Sequence, residues 1–317
     1  MLVATLWVLA IVTVAAAYFA ERVSRSLELA RQRQESVEQL VAFANTRAEV
    51  LFRLGTTLPS FQGIGSPSPI ALDNRPYRGT GGDTIRLQDN LGLLNVNFVQ
   101  PVLLSRFLGQ MGVPLEKRDA MIDALRDYTD TDDLRRLNGA EIADYAALGL
   151  PPPPNDWLVT PLQLKNIIGW RDQPALWEGR NILNFLTTSR LVGFNPNTAP
   201  QEVLASLPGL TPQTAGSLVK LRSVRPFFGT NQLSGYMDGL VEPEHFSFFP
   251  GSSIRITQQG SKVPWSLESS VTLTPNSELA PWRVDYQVRT AVSYAVENED
   301  KIPSLPPWAA AIDTEAT

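Results

Sequence analysis

The first 54 residues carry neither Gly nor Pro; Gly55 is the first glycine and Pro59 the first proline. Both residues break helices, so the pattern predicts one uninterrupted helix over 1–54. It divides into two halves. Met1 to Ala20 has no charged side chain, and its only polar ones are Thr5, Thr13 and Tyr18. Twenty such residues rise roughly 30 Å as a helix, the thickness of a bilayer's hydrocarbon core. From Glu21 to Leu54 the chain is amphipathic. Val23, Leu27, Ala30, Val37, Val41, Ala44, Ala48 and Leu51 recur in steps of four and three, with Gln34 in the one vacant step. That stripe predicts a helix face buried on a soluble body. A secretory signal peptide would open on a basic region. Here the apolar run starts at once, which leaves a signal anchor and a pilin-type helix.

Residues 55–82 are rich in Gly, Pro and Ser and read as a loop. Thr84 to Gln88 alternates polar and apolar and reads as a short strand. From about Gln100 to Gly235 the pattern is helical in short pieces. Pro114 opens one helix, Thr160-Pro161 starts another, and Asn181 to Leu191 reads as a third. Thr198 is placed to cap a helix beginning at Pro200, Leu207-Pro208-Gly209-Leu210 turns it, and Thr211 caps its partner at Pro212. This is a helix-hairpin-helix. From Ser252 the period becomes two: Ile254 and Ile256; Val263, Trp265 and Leu267; Val271 and Leu273; Trp282 to Val288; Val292, Tyr294 and Val296. These are three or four antiparallel strands. A lone early strand is not stable by itself, so it pairs with the late ones. The fold class is α+β. A pilin-like amino-terminal helix packs on an antiparallel sheet, and a large all-α domain of SAM-like, helix-hairpin-helix kind is inserted into the sheet region. The divisions are 1–20 transmembrane, 21–54 amphipathic helix, 55–99 first part of the sheet domain, 100–235 helical insert, 236–297 closing strands and 298–317 flexible tail.

Composition narrows the chemistry. The net charge of −5 argues against a phosphate-dominated nucleic-acid binder. The sequence holds no Cys and one His, His245, which leaves thiolate and histidine metal centres and a Ser-His-Asp triad without their residues. No other constellation suggests catalysis. One stretch remains, with Asp127, Asp130, Asp132, Asp133, Glu141 and Asp144. Hard oxygens at alternate positions suit calcium, although the glycine of an EF-hand is missing; the other reading is a solvated loop with helix caps.

Three features together resemble the minor pseudopilin K family of the bacterial type II secretion system. They are the apolar start with Thr5-Leu6-Trp7-Val8-Leu9; Asp127-Tyr128-Thr129-Asp130-Thr131-Asp132 followed by Gly139-Ala140-Glu141 and Tyr145; and Asn195-Pro196-Asn197-Thr198-Ala199-Pro200 running to Leu207-Pro208-Gly209. The resemblance implies a non-enzymatic subunit at the pseudopilus tip. It would be single-pass in the inner membrane, with its soluble domain in the periplasm, in a hetero-complex with minor pseudopilins I, J and H. It implies a prepilin peptidase that removes a leader, with Met1 either the mature amino terminus or the start codon. It places Thr5 where pilin-type subunits usually carry Glu. It suggests calcium on Asp130, Asp132 and Glu141, while Ile142 stands where the family has an Asp. The alternative reading is a membrane-anchored DNA-binding receptor using the hairpin over 195–222, with Lys220, Arg222 and Arg225 close by.

Overall fold

The computed structural model describes residues 2–65, 68–178, 181–237, 245–291 and 301–306. Helix α1 runs unbroken from Leu2 to Thr56, as the missing Gly and Pro predict. Strands β1 (Pro59–Ser60) and β2 (Gly63–Ile64) form a small hairpin. Strands β3 (Asp73–Arg78) and β4 (Thr84–Asp89) follow, and β7 (Ser253–Gln259), β8 (Trp265–Leu273) and β9 (Trp282–Ala291) close the fold. The five pair antiparallel in the order β3-β4-β7-β8-β9. Early β4 lies directly against late β7, with Ile85 opposite Gln258 and Leu87 opposite Ile256. Everything between them is an insertion.

Period two assigns the faces. Ile85, Leu87, Ile254, Ile256 and Val271 form one face and pack under Val50, Leu51 and Leu54 of α1. The other face carries the polar side chains Arg86, Gln88 and Arg255, all buried. Arg255 reaches across to the insert and donates to the carbonyls of Leu183 and Asn184, each at 2.7 Å.

The helix does not dock with the face that its spacing marks. Val37, Val41, Ala44 and Ala48 are exposed, and of the predicted stripe Leu51 alone is buried. The buried side chains are Gln39, Phe43, Thr46, Val50, Leu51, Arg53 and Leu54. That is an equally helical run, offset by about two residues. Polar chemistry chooses it. Thr46 Oγ1 donates to Asp83 Oδ1 at 2.6 Å, and Gln258 Nε2 donates to Asp83 Oδ2 at 2.9 Å and to the Phe43 carbonyl at 2.8 Å. The loop before β4 approaches so closely that a Cβ on Gly81 would stand 2.7 Å from the Ala42 carbonyl oxygen. Gly81→Ala should push α1 off the sheet edge and destabilise by about 1–3 kcal/mol, the usual scale of overpacking. A thermal melt with faster amide exchange over residues 42–46 checks this; an unchanged melt would count against it.

The insert has its own core. It contains β5 (Leu94–Asn95), α2 (Pro101–Gln110), α3 (Leu115–Thr129), α4 (Ile142–Ala147), α5 (Pro174–Trp177), β6 (Leu186–Thr187), α6 (Gln201–Leu204) and α7 (Pro212–Val224). Phe107, Leu108, Met121, Tyr145, Leu164 and Trp170 are buried at its centre, and Trp170 Nε1 donates to the Met121 carbonyl at 2.7 Å.

Several sequence expectations need correction. The insert is not all-α: β5 and β6 pair in parallel. It is also wider than 100–235. Leu94 and Val96 belong to its core, Phe246 and Phe248 pack with its hairpin, and it closes only at β7. Residues 55–82 hold three strands rather than a loop; β3 was hidden by Pro76 and by Asn74, whose φ is 67°. Asn181 to Leu191 is a 3₁₀ turn (Ile182–Asn184) and β6, not a helix. Nor is the tail loose throughout, because Leu305 is buried under α1. The expected strand residues Val292, Tyr294 and Val296, together with Met1 and residues 307–317, lie outside the described residues.

Candidate functional site

The acidic loop leaves α3 at Asp130, the carboxy-terminal cap of that helix. Asp127, in the last turn, is fully buried. Its Oδ1 accepts from the Arg136 guanidinium at 2.7 Å and its Oδ2 from the Arg136 amide at 3.1 Å. Arg136 also bonds Asp130 Oδ2. Asp130 first and Asp127 second raise the guanidinium pKa above its ordinary value, so the part-exposed Arg136 stays charged. A Cβ on Gly139 would stand 1.9 Å from Asp127 Oδ2. The loop therefore wraps main chain directly over that carboxylate.

The three expected ligands do not behave alike. Asp132 Oδ1 accepts from the Leu134 amide at 2.9 Å, a local turn cap. Asp130 gives one oxygen to Arg136, while its Oδ1 is buried with no partner. Glu141 is 4% exposed, and neither of its carboxyl oxygens has a hydrogen-bond partner. Burial, followed by the charges of Asp127, Asp130, Asp133 and Asp132, pushes its pKa up to about 7. Ile142 is half exposed and supplies no oxygen. Asp144 holds the Glu141 amide at 3.0 Å, and Asp133 accepts from Asn155 at 2.9 Å. Among the described residues no three carboxylates converge on one metal-sized point. The unsatisfied oxygens, two on Glu141 and one on Asp130, are nonetheless the kind of donor that a hard cation takes.

The hairpin is differently built from its sequence pattern. Its first helix, α6, is a single turn whose cap is Pro200. Thr198 does not cap it; its hydroxyl donates to Asp89 Oδ2 at 3.0 Å. Thr211 does cap α7. Arg222 is turned inward and donates to the carbonyls of Pro196 and Ala199, and burial lowers its pKa to about 10. Arg106 donates to the carbonyls of Ser206 and Leu207. Two arginines that could have met phosphate are spent on the hairpin's own main chain.

Sequence reasoning missed the junction where the insert meets the sheet. Asp89 ends β4 and is fully buried. It accepts from Asn195 Nδ2 (2.8 Å), Thr198 Oγ1 (3.0 Å), the Leu91 amide (3.0 Å) and the Gly251 amide (3.1 Å). Burial pushes its carboxyl above the ordinary Asp range, and these donors pull it back. Entry and exit of the insert are thus tied to one side chain. The Asn195-Pro196-Asn197-Thr198 motif was the available signal, read too locally as a helix cap.

At the other end of the molecule, α1 contains an 18-residue window of mean hydropathy 2.3 with none of it buried. A core helix of that hydropathy would be covered. Thr5 and Thr13 return their hydroxyls to the carbonyls of Leu2 and Leu9, at 2.7 and 2.8 Å. Neither leaves a polar group unsatisfied in lipid.

A bare apolar helix continuing onto an antiparallel sheet, with a domain spliced between two adjacent strands, is a pilin-like α+β architecture carrying an insert. Residues 89–175 match the family model described as "Type II secretion system (T2SS), protein K". That match spans 87 of the chain's 317 residues, so this segment is similar to the type II secretion protein K family. Among solved structures, a chain of the GspK-GspI-GspJ complex from the enterotoxigenic Escherichia coli type 2 secretion system aligns at 12% identity. The alignment covers 84% of this chain and 99% of that one, with a TM-score of 0.49. No curated protein matches.

Proposed function

We propose that the protein is the tip subunit of a type II secretion pseudopilus, joining minor pseudopilins I, J and H in a complex of fixed stoichiometry. The observation that carries this is the position of the protein K match: it begins at Asp89, where the insert leaves the sheet of the pilin-type body. The family is a structural component of secretion, and we read this chain as having no catalytic role. The apolar segment 1–20 lies in the inner membrane and the body in the periplasm, with a prepilin peptidase for leader removal. Pull-down of the detergent-solubilised chain against the I, J and H subunits tests the assembly. Stable capture of one copy is the expected result; no capture, or self-polymerisation, would overturn it.

Thr5 supports the place at the tip. A subunit inside the shaft needs a group that compensates its upper neighbour's charged amino terminus, and an unpaired charge in lipid is costly. Thr5 has no charge, and its hydroxyl is already used. Thr5→Glu is predicted to impair secretion by leaving a carboxylate unpaired in the membrane. Secretion at the wild-type rate would remove this argument.

The same reading includes calcium at the acidic loop. Glu141 and Asp130 would hold it through their unsatisfied oxygens, with Asp132 turning from the Leu134 amide to join them. Calcium would supply the positive charge that Glu141 lacks. No observation favours the DNA-receptor reading, since Arg222 is spent internally.

A further inference from the structure

The β3 edge of the sheet is closed, and each part of it is closed differently. At its start, Asn74 takes a φ of 67° and the register against β4 shifts between Asp73 and Pro76. A bulge bends an edge away from an incoming strand. Pro76 then offers no amide. The rest of the edge, at Arg78, is covered by the chain's own carboxy-terminal segment. The Arg78 amide donates to the Pro303 carbonyl at 2.8 Å, and the Leu305 amide donates back to the Arg78 carbonyl at 3.0 Å. Ser304 stands opposite Arg78 as a parallel bridge. Leu305 is buried in the core between α1 and the sheet, and Arg53 of α1 donates to the Pro306 carbonyl.

We propose that residues 303–306 are a strap that occupies a strand-accepting groove at Arg78, and that the strap keeps a second copy of this chain from adding a strand there. An open edge with unpaired amides and carbonyls is a ready site for strand addition. The other two devices on this edge serve the same end, so the strap completes one protected side. The strap holds on by one apolar side chain, two β-type hydrogen bonds and the Arg53 contact. Segments held by so few contacts open without global unfolding.

The test uses the full chain in detergent, a version ending at Ile302, and the variants Leu305→Asp and Ser304→Ala. The Arg78 amide should exchange at least about tenfold faster in the truncated chain and in Leu305→Asp. The exposed Ser304→Ala variant should not change. The truncated chain should self-associate in sedimentation, and a synthetic peptide of residues 301–306 should both restore Arg78 protection and reverse the association. The Ile256 amide, at the sheet centre, reports whether the fold survives. Unchanged Arg78 exchange in both variants would overturn the strap. Loss of Ile256 protection, or monomers throughout, would overturn its guarding role.

Discussion

Asp89→Ala should lower stability by about 3–5 kcal/mol, the largest single-residue effect expected in this chain. The substitution removes the acceptor of two side-chain and two backbone donors in a fully buried place. Unsatisfied buried donors retain the whole desolvation penalty, and nothing else in the junction can reach them. The Asn90 side chain is already committed to Ser253 and Ser270, and the Gln88 amide to the carbonyls of Asp89 and Thr198. At the size of this body, a loss of that order lowers the melting temperature by about 10 °C. Asp89→Asn keeps one accepting oxygen and should lose less. Amide exchange at Leu91 and Gly251 separates this cause from a general loosening. Both should lose protection before the sheet centre does. A melt within 2–3 °C of wild type, a scale set by about 1 kcal/mol, would sink the claim that Asp89 ties insert to sheet.

The legibility of this fold followed the range of each signal. The 55-residue helix α1 was readable because two residue types are missing from its first 54 positions, and absence over such a length needs no tertiary knowledge. Pairing of an early strand with late ones was readable because a lone strand cannot stand. The docking face was not. Stripes through Val41, Ala44 and Ala48 or through Phe43, Thr46 and Val50 both satisfy helical spacing, and only Asp83, Gln258 and Gly81 decide between them. Strand β3 was lost for the opposite reason. Its Pro76 and left-handed Asn74 protect an edge, and the same features erase a strand signal. Thr198 shows the limit most directly. Placed just before a helix it reads as a cap, yet its partner is 109 positions earlier. Of the candidate ligands, the acidic residues were legible as a group. Which of them keeps a free oxygen depended on Arg136, whose role no local pattern announces.

Calcium should raise the melting temperature strongly at pH 8 and barely at pH 5, and Glu141 should be the cause. Its pKa is about 7 in the folded chain, against 4.5 for the ordinary group. The folded protein therefore holds a proton that the unfolded chain releases. Stability from this group is fully present below about pH 4.5, falls as the pH rises towards 7, and stays low above that. Burial, and after it the repulsion from Asp127, Asp130, Asp133 and Asp132, produces the shift; a cation bound to the carboxylate offsets both by supplying the opposite charge. Calcium and the proton thus compete for the same oxygens. At 100 times its dissociation constant, calcium adds about 2.7 kcal/mol, or about 5–10 °C for a body of this size. Near pH 5 the proton already neutralises Glu141 and most of that gain disappears. Glu141→Gln should flatten the pH dependence between 5 and 7 and abolish the calcium shift, while Asp132→Ala should abolish the shift but leave the pH dependence. Paired melts of the three proteins with calcium and with a chelator read both effects. An equal calcium shift at pH 5 and pH 8, or a shift that survives Glu141→Gln, would place the ion elsewhere and leave the acidic loop a solvated turn ordered by Arg136.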